Sequence, residues 1–157
     1  MAKPQRSDPA EAIDIRPATV ADLAGVIALD EEVTGLVKPE YWHDMFARYG
    51  ARGTGSGCFL VAGNPARIDG FIVGEVRAWE FGSPPCGWIF TIAVDPNIRL
   101  GGVGSALFES LCGCFRKARV TKIRTMLARD AQLIMSFFRS QGMMAGPFTE
   151  LEKDLEE

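Results

Sequence analysis

The chain is poor in the residues that most often carry chemistry at neutral pH: it has one histidine, His43, and two tyrosines in 157 residues. A lone histidine has no partner for a metal ion, and Cys58, Cys86, Cys112 and Cys114 do not fall into a zinc-type spacing, so no metal is expected. Cys112 and Cys114 stand two apart on a helical pattern and face different ways, which favours reduced structural thiols over a redox pair. No apolar run approaches the ~20 residues of a membrane span, and residues 1–12 lack the apolar centre of a leader, so a cytoplasmic chain that meets no membrane is expected. Basic residues are not in excess, the net charge being -3, which argues against nucleic acid as a partner. Gly-Lys-Ser/Thr is missing, which excludes the nucleotide P-loop. No third glycine follows Gly102-x-Gly104, which counts against the dinucleotide fingerprint.

What is present suits an ordinary globular domain, with 47% apolar and 24% charged residues. A polar, disordered tail is expected over 1–11 and a single domain over 12–157. Ile13-x-Ile15-Arg-Pro alternates as a short strand. Thr19-x-x-Asp22 has the form of a capping box before a helix whose apolar stripe is Leu23, Val26, Ile27 and Val33. Asp30-Glu31-Glu32 at its end reads either as a solvated terminus or as the edge of a cleft that attracts a cationic amine. Pro39-Glu40 opens a second helix with Trp42, Met45, Phe46 and Tyr49 on one face, and the glycine-rich stretch 50–57 reads as a linker or a flap.

From Cys58 the period changes to two. Cys58–Ala62 and Gly70–Trp79 predict strands, and Gly82-Ser-Pro-Pro-Cys-Gly87 turns the chain into a third, Trp88–Val94, giving an antiparallel meander. Lys122–Leu127 predicts a strand parallel to its neighbour, because a helix separates the two. Asp130 is placed to cap a last helix bearing Leu133, Ile134, Phe137 and Phe138, with Gly142 as its stop. A closing strand pair is expected around 143–144 and 148–155.

The most informative stretch runs from Thr91 to Ala106, an apolar strand that stops at Asp95-Pro96 and re-enters order through Arg99-Leu-Gly-Gly-Val-Gly104. Val103, Leu107, Leu111 and Phe115 then recur with helical spacing, so the glycines stand at a helix N-terminus. Such a terminus carries unpaired amides and roughly +0.5 charge, and glycines remove the Cβ atoms that would keep a phosphate from them. Arg99 adds a full positive charge at the mouth. The stretch reads as a phosphate cradle.

Ala93-Val-Asp-Pro-x-x-Arg-x-x-Gly-x-Gly104, followed by a helix with Leu107, resembles the acetyl-CoA signature of the GNAT N-acetyltransferase superfamily, and the order of elements is similar from about residue 12 onward. The resemblance implies an α/β (α+β) fold with a mixed, mostly antiparallel central sheet, helices on both faces and a splayed parallel strand pair at the cofactor site. It implies acetyl-CoA as cosubstrate and an amine acceptor, either a small molecule or a lysine or N-terminal amine of a protein. Main-chain groups of Ile92, Ala93 and Val94 would pair with the pantetheine arm. The diphosphate would rest on Leu100, Gly101, Gly102, Val103, Gly104 and Ser105, with Arg99 beside it.

Acyl transfer to an amine needs a base for the ammonium, a polarised carbonyl and a proton for the departing thiolate. The family's strand glutamate falls here on Cys86 or Trp88, and its late tyrosine on Phe138; Ala131 stands where many members have asparagine. Glu75 is the first candidate for a base acting through water, with Glu80 behind it, and Ser136 the candidate donor to the thiolate. A non-catalytic acyl-CoA-binding sensor is the alternative reading, a Rossmann-type nucleotide binder a third. A homodimer through an exposed strand is open, though no residue points to it.

Overall fold

The computed structural model describes residues 12–50 and 56–156. The tail expected over 1–11, and positions 51–55 within the proposed linker or flap, lie outside the described residues. The chain divides into two compact units, the boundary falling between Met126 and Leu127.

The first unit carries β1 (Ile15–Pro17), α1 (Leu23–Thr34), α2 (Pro39–Tyr49), β2 (Gly57–Asn64), β3 (Arg67–Arg77), β4 (Cys86–Val94), α3 (Val103–Lys117) and β5 (Ile123–Arg124). The strands form one sheet in the order β1-β2-β3-β4-β5, antiparallel throughout except for the parallel β4–β5 pair. This is the mixed α/β fold expected from the sequence.

Alternation along the strands sends side chains to two different layers. Phe59, Val61, Phe71 and Val73 are buried in one cluster with Val26 and Leu29 of α1 and Trp42 and Met45 of α2. The other face is floored by glycine. A Cβ on Gly70 would lie 3.0 Å from Leu107 Cδ1 and 3.1 Å from Val103 Cγ1, and one on Gly74 would lie 3.0 Å from Phe115 Cζ and 3.2 Å from Leu111 Cδ2. Gly87 lies under the Phe115 ring in the same way. The apolar stripe of α3 therefore presses directly on the backbone of β3 and β4.

Asp22, the acid of the expected capping box, and Asp30 are both structural. Asp22 is fully buried and takes a two-pronged ion pair from Arg16, Nη1 and Nη2 each at 2.7 Å, while also accepting from Thr19 N–H at 2.7 Å and Thr19 Oγ1 at 3.0 Å. Asp30 turns inward and accepts from Trp42 Nε1 at 2.9 Å, with Lys38 Nζ at 3.0 Å, tying α1 to α2. Glu31 and Glu32 remain exposed.

Four local expectations are corrected. β3 ends at Arg77, so Trp79 leaves the strand with φ of 71° and Glu80 lies in an exposed 3₁₀ turn. The strand expected over 122–127 narrows to Ile123–Arg124. In the second unit, α4 (Gln132–Ser140) starts after Ala131, and Asp130 sits in the preceding turn with only its carbonyl bonded to Gln132 N–H, not as a side-chain cap. Gly142 does stop that helix, at φ of 88°. Residues 143–156 form no strand: Phe148, Leu151 and Leu155 are spaced by three and four, not two, and so have no common sheet face.

Arg16 holds the Asp22 carboxyl below the usual carboxylate range, against the opposing effect of burial. A depressed folded-state value means the stabilisation is present above the unfolded value of about 3.9 and is lost as pH falls through the folded one. Asp22→Asn is expected to cost about 3 kcal/mol at pH 7. Urea midpoints measured from neutral to acid pH should converge for the two proteins below pH ~4, and parallel curves would refute the assignment.

Candidate active site

The site is built from the end of β4 onward. β5 pairs with β4 only at Gly87↔Ile123 and Trp88↔Arg124, supported by Gly87 N–H donating to Lys122 O at 2.9 Å. The Thr125 hydroxyl then donates to Ile89 O at 3.0 Å and ends the ladder. On the other side β3 follows β4 as far as Val94, but with a bulge: Val73 pairs with Thr91 and Gly74 with Ile89, leaving Phe90 without a partner.

The bulge changes which residues face outward. Gly87 and Ile89 turn their main chain to β5, as the bonds above show. Beyond Phe90, Asp95 N–H donates to Asp69 O at 2.8 Å, so by the alternation of an antiparallel ladder Ala93 also bonds β3, while Ile92 and Val94 present N–H and C=O to the outer edge. That edge has no ladder partner among the described residues. It is the splay expected between parallel strands, and it has two proximate causes, a two-residue β5 and a one-residue bulge.

The strand leads into a rigid corner. Asp95 Oδ1 accepts from Asn97 N–H at 2.8 Å and Asn97 Nδ2 at 2.9 Å, and Ile98 N–H donates to Asp95 O at 3.0 Å. A 3₁₀ turn, Arg99–Gly101, follows; it contains Leu100, and Arg99 is exposed. Gly102 is the N-cap of α3 in the left-handed region, φ of 83°, and no side chain caps the helix. Ala106 N–H donates to Gly102 O at 3.0 Å, and the amides of Val103 and Gly104 precede that bond. A Cβ at Gly101 would meet nothing within 4 Å. Open space, amide donors, helix dipole and a guanidinium thus coincide where the sequence predicts a cradle.

Glu75 pairs directly with Trp88 across the β3–β4 ladder. The candidate base Glu75 thus faces position 88, with a Cβ that in such a pair stands about 5 Å from that of Trp88. Arg77 Nε donates to Glu75 Oε1 at 2.9 Å, and the same guanidinium lies 5.1 Å from the centre of the Phe90 ring. Tyr49 of α2 packs on Phe90, ring centres 5.6 Å apart, and its phenol lies beside Glu75; burial and then that carboxylate raise its pKa and keep it protonated. Tyr49 and Arg77 are thus neighbours of the candidate base that sequence reasoning missed, since α2–β3 proximity leaves no local signal. Glu80 and His43 are exposed, and Cys86 is buried with its sulfur 3.4 Å from Arg124 Nη1. In the second unit Ser136 is exposed on α4 and Phe138 buried. Among the described residues no three His, Cys, Asp or Glu side chains are placed to hold a metal, and no helix is long and apolar enough to cross a membrane.

A search of curated proteins returns no match. Solved structures share the fold at low identity. An aminoglycoside antibiotic 6'-N-acetyltransferase of Acinetobacter baumannii matches with a TM-score of 0.75 at 15% identity, over 92% of this chain and 100% of that one. The corresponding enzyme of Acinetobacter haemolyticus gives 0.71 at 19%, with the same coverage. An acetyltransferase of Trypanosoma brucei gives 0.67 at 22%, over 91% of this chain and 99% of that one. The acetyltransferase (GNAT) family model matches residues 23–143. The chain belongs to the GNAT family and is an acyltransferase.

Gly102 is the position where the cradle's geometry depends on a missing Cβ. Gly102→Ala is expected to cost roughly 1–2 kcal/mol through the left-handed conformation, whereas Gly101→Ala, into open space, stays within about 0.5 kcal/mol. Chemical denaturation of the two variants checks this, and equal losses would contradict it.

Proposed function

We propose that the chain is an N-acetyltransferase that moves the acetyl group of acetyl-CoA to a primary amine, by direct attack in a ternary complex. The observation that carries the proposal is the continuity of the outer edge of Ile92 and Val94 with the glycine-capped start of α3. An extended arm rich in amides suits such an edge, which offers N–H and C=O groups in strand register. A diphosphate suits the amides at the start of α3 with Arg99 at their mouth, while the Gly101 N–H already donates to Ile98 O at 2.9 Å. Acetyl-CoA supplies an acyl carbonyl activated as a thioester; the remaining tasks fall to this chain's own residues.

The strand edge orients the carbonyl, and outward N–H groups beside the Phe90 bulge polarise it. Glu75, steadied by Arg77, takes the ammonium proton through a water molecule. Ser136 is the proposed donor to the departing thiolate. The acceptor is a small-molecule amine, the kind of substrate named for the aminoglycoside enzymes that share the fold, or a lysine or N-terminal amine of a protein. A non-catalytic acyl-CoA sensor is the second reading, favoured by Trp88 and Phe138 at positions where the family often carries its acid and base.

Titration calorimetry with coenzyme A and acetyl-CoA tests the binding half, and thiol release across a broad panel of primary amines tests the chemistry. Glu75→Gln should lower kcat about 10²- to 10³-fold while leaving acetyl-CoA affinity unchanged. Glu80→Gln should leave kcat unchanged, and Ser136→Ala should lower kcat without weakening cofactor binding. Binding without turnover of any amine would favour the sensor; no binding of coenzyme A would end both readings.

A further inference from the structure

Cys58 and Cys114 are 56 positions apart in the sequence, and the fold brings their sulfurs together. Cys58 of β2 is the ladder partner of Gly74, and the residues that sit on Gly74 are Leu111 and Phe115 of α3. Cys114 lies one turn beyond Leu111 on the same stripe. Strand alternation puts Cys58 on the α3 side with Leu60, opposite Phe59 and Val61, which belong to the α1/α2 cluster. The two thiols are close enough for each to perturb the other, and each is partly accessible, while Cys86 and Cys112 are buried.

We propose that Cys58 and Cys114 form a dithiol site that reacts with a hydroperoxide and closes to a disulfide, tying β2 to α3. The Cys114 sulfur, as thiolate, attacks the distal oxygen of the peroxide. The O–O bond breaks, the alkoxide or hydroxide leaves and is protonated, and Cys114 becomes a sulfenic acid. The Cys58 thiol then attacks that sulfur, the S–O bond breaks, and the S–S bond forms with release of water. Two thiols lose two electrons and two protons to one peroxide.

The neighbours favour this order of events. The neighbouring Cys58 lowers the Cys114 thiol to about 7, and Lys117 acts in the same sense against the cost of burial. Cys58 is pushed up by the same contact and by burial, which keeps it protonated. Burial and Glu109 raise Cys112, which holds it as an unreactive thiol. The segment closed by the bond runs from β2 through β3, β4 and the cradle to the last turns of α3. Oxidation would thus enclose the candidate site in a covalent loop. The site depends on no assignment of acceptor or base.

The intact chain is exposed to hydrogen peroxide, denatured in iodoacetamide and mapped without reductant. The expected result is a single linked pair, Cys58–Cys114, with a loss of about 2 Da, reversed by dithiothreitol, and with Cys86 and Cys112 recovered as alkylated thiols. Cys58→Ser should stop at the sulfenic acid, trapped by dimedone on Cys114. Cys114→Ser should slow consumption of peroxide at least 10-fold. Recovery of four alkylated thiols from the oxidised native chain would overturn the proposal. Linkage through Cys86 or Cys112, or equal oxidation of all four, would overturn it too.

Discussion

The close approach of α3 to the sheet is the constraint on which the rest depends. Leucine and phenylalanine side chains can rest on a strand backbone only where that backbone has no side chains of its own, and Gly70, Gly74 and Gly87 provide that surface. Gly70 receives Val103 and Leu107, so the first turn of α3 is held next to the end of β4, and the amides of the cradle open where the strand edge ends. Gly74 and Gly87 receive Leu111 and Phe115, which fixes the far half of the same helix over β3 and β4 and brings Cys114 to Cys58. One packing contact thereby positions the candidate ligand edge at one end of the helix and the thiol pair at the other.

The open edge itself is a matter of backbone counting. A two-residue β5 leaves five residues of β4 past Ile89 with no parallel partner, and the Phe90 bulge reverses the parity so that Ile92 and Val94 face outward instead of Thr91 and Ala93. Without the bulge, the residues next to the cradle would turn their hydrogen-bonding groups the other way. A bulge is a small cost in ladder hydrogen bonds, and here it decides the polarity of the surface that any extended ligand would meet.

What was legible in the sequence follows from the range over which each signal acts. Strand, Asp-Pro stop, arginine, glycines and amphipathic helix lie within a few residues of one another, and the structure places them as the spacing implied. The meander and the parallel return after α3 were legible for the same reason. Ladder register was not: that Glu75 faces Trp88, and Cys58 faces Gly74, depends on the length of a hairpin and on a bulge that no residue type announces. Asp30 read as a solvated or cleft-edge acid because Trp42, which buries it, belongs to a neighbouring element, whereas Asp22, expected as the acid of a capping box, takes a further ion pair from Arg16. The strand pair expected past Met143 does not form, since Phe148 and Leu151, three apart, cannot share a sheet face.

The same difference in range explains how the family's cofactor signature persists here while its usual acid and base do not. Main-chain groups and a helix terminus bind through backbone geometry, which many side chains leave intact, but which fails at once if a glycine at φ of 83° or a ladder register is lost. A proton acceptor has the opposite requirement. It must be a carboxylate within reach of the reacting amine, directly or through one water, and the strand that carries it is immaterial. Two residues that face each other across a ladder, such as Trp88 and Glu75, are closer in space than residues two apart on one strand. An acid on a facing strand can therefore stand close to the place of one on the neighbouring strand, and here Glu75 faces Trp88. Backbone recognition fixes a motif in the sequence, whereas side-chain chemistry fixes only a place in the fold.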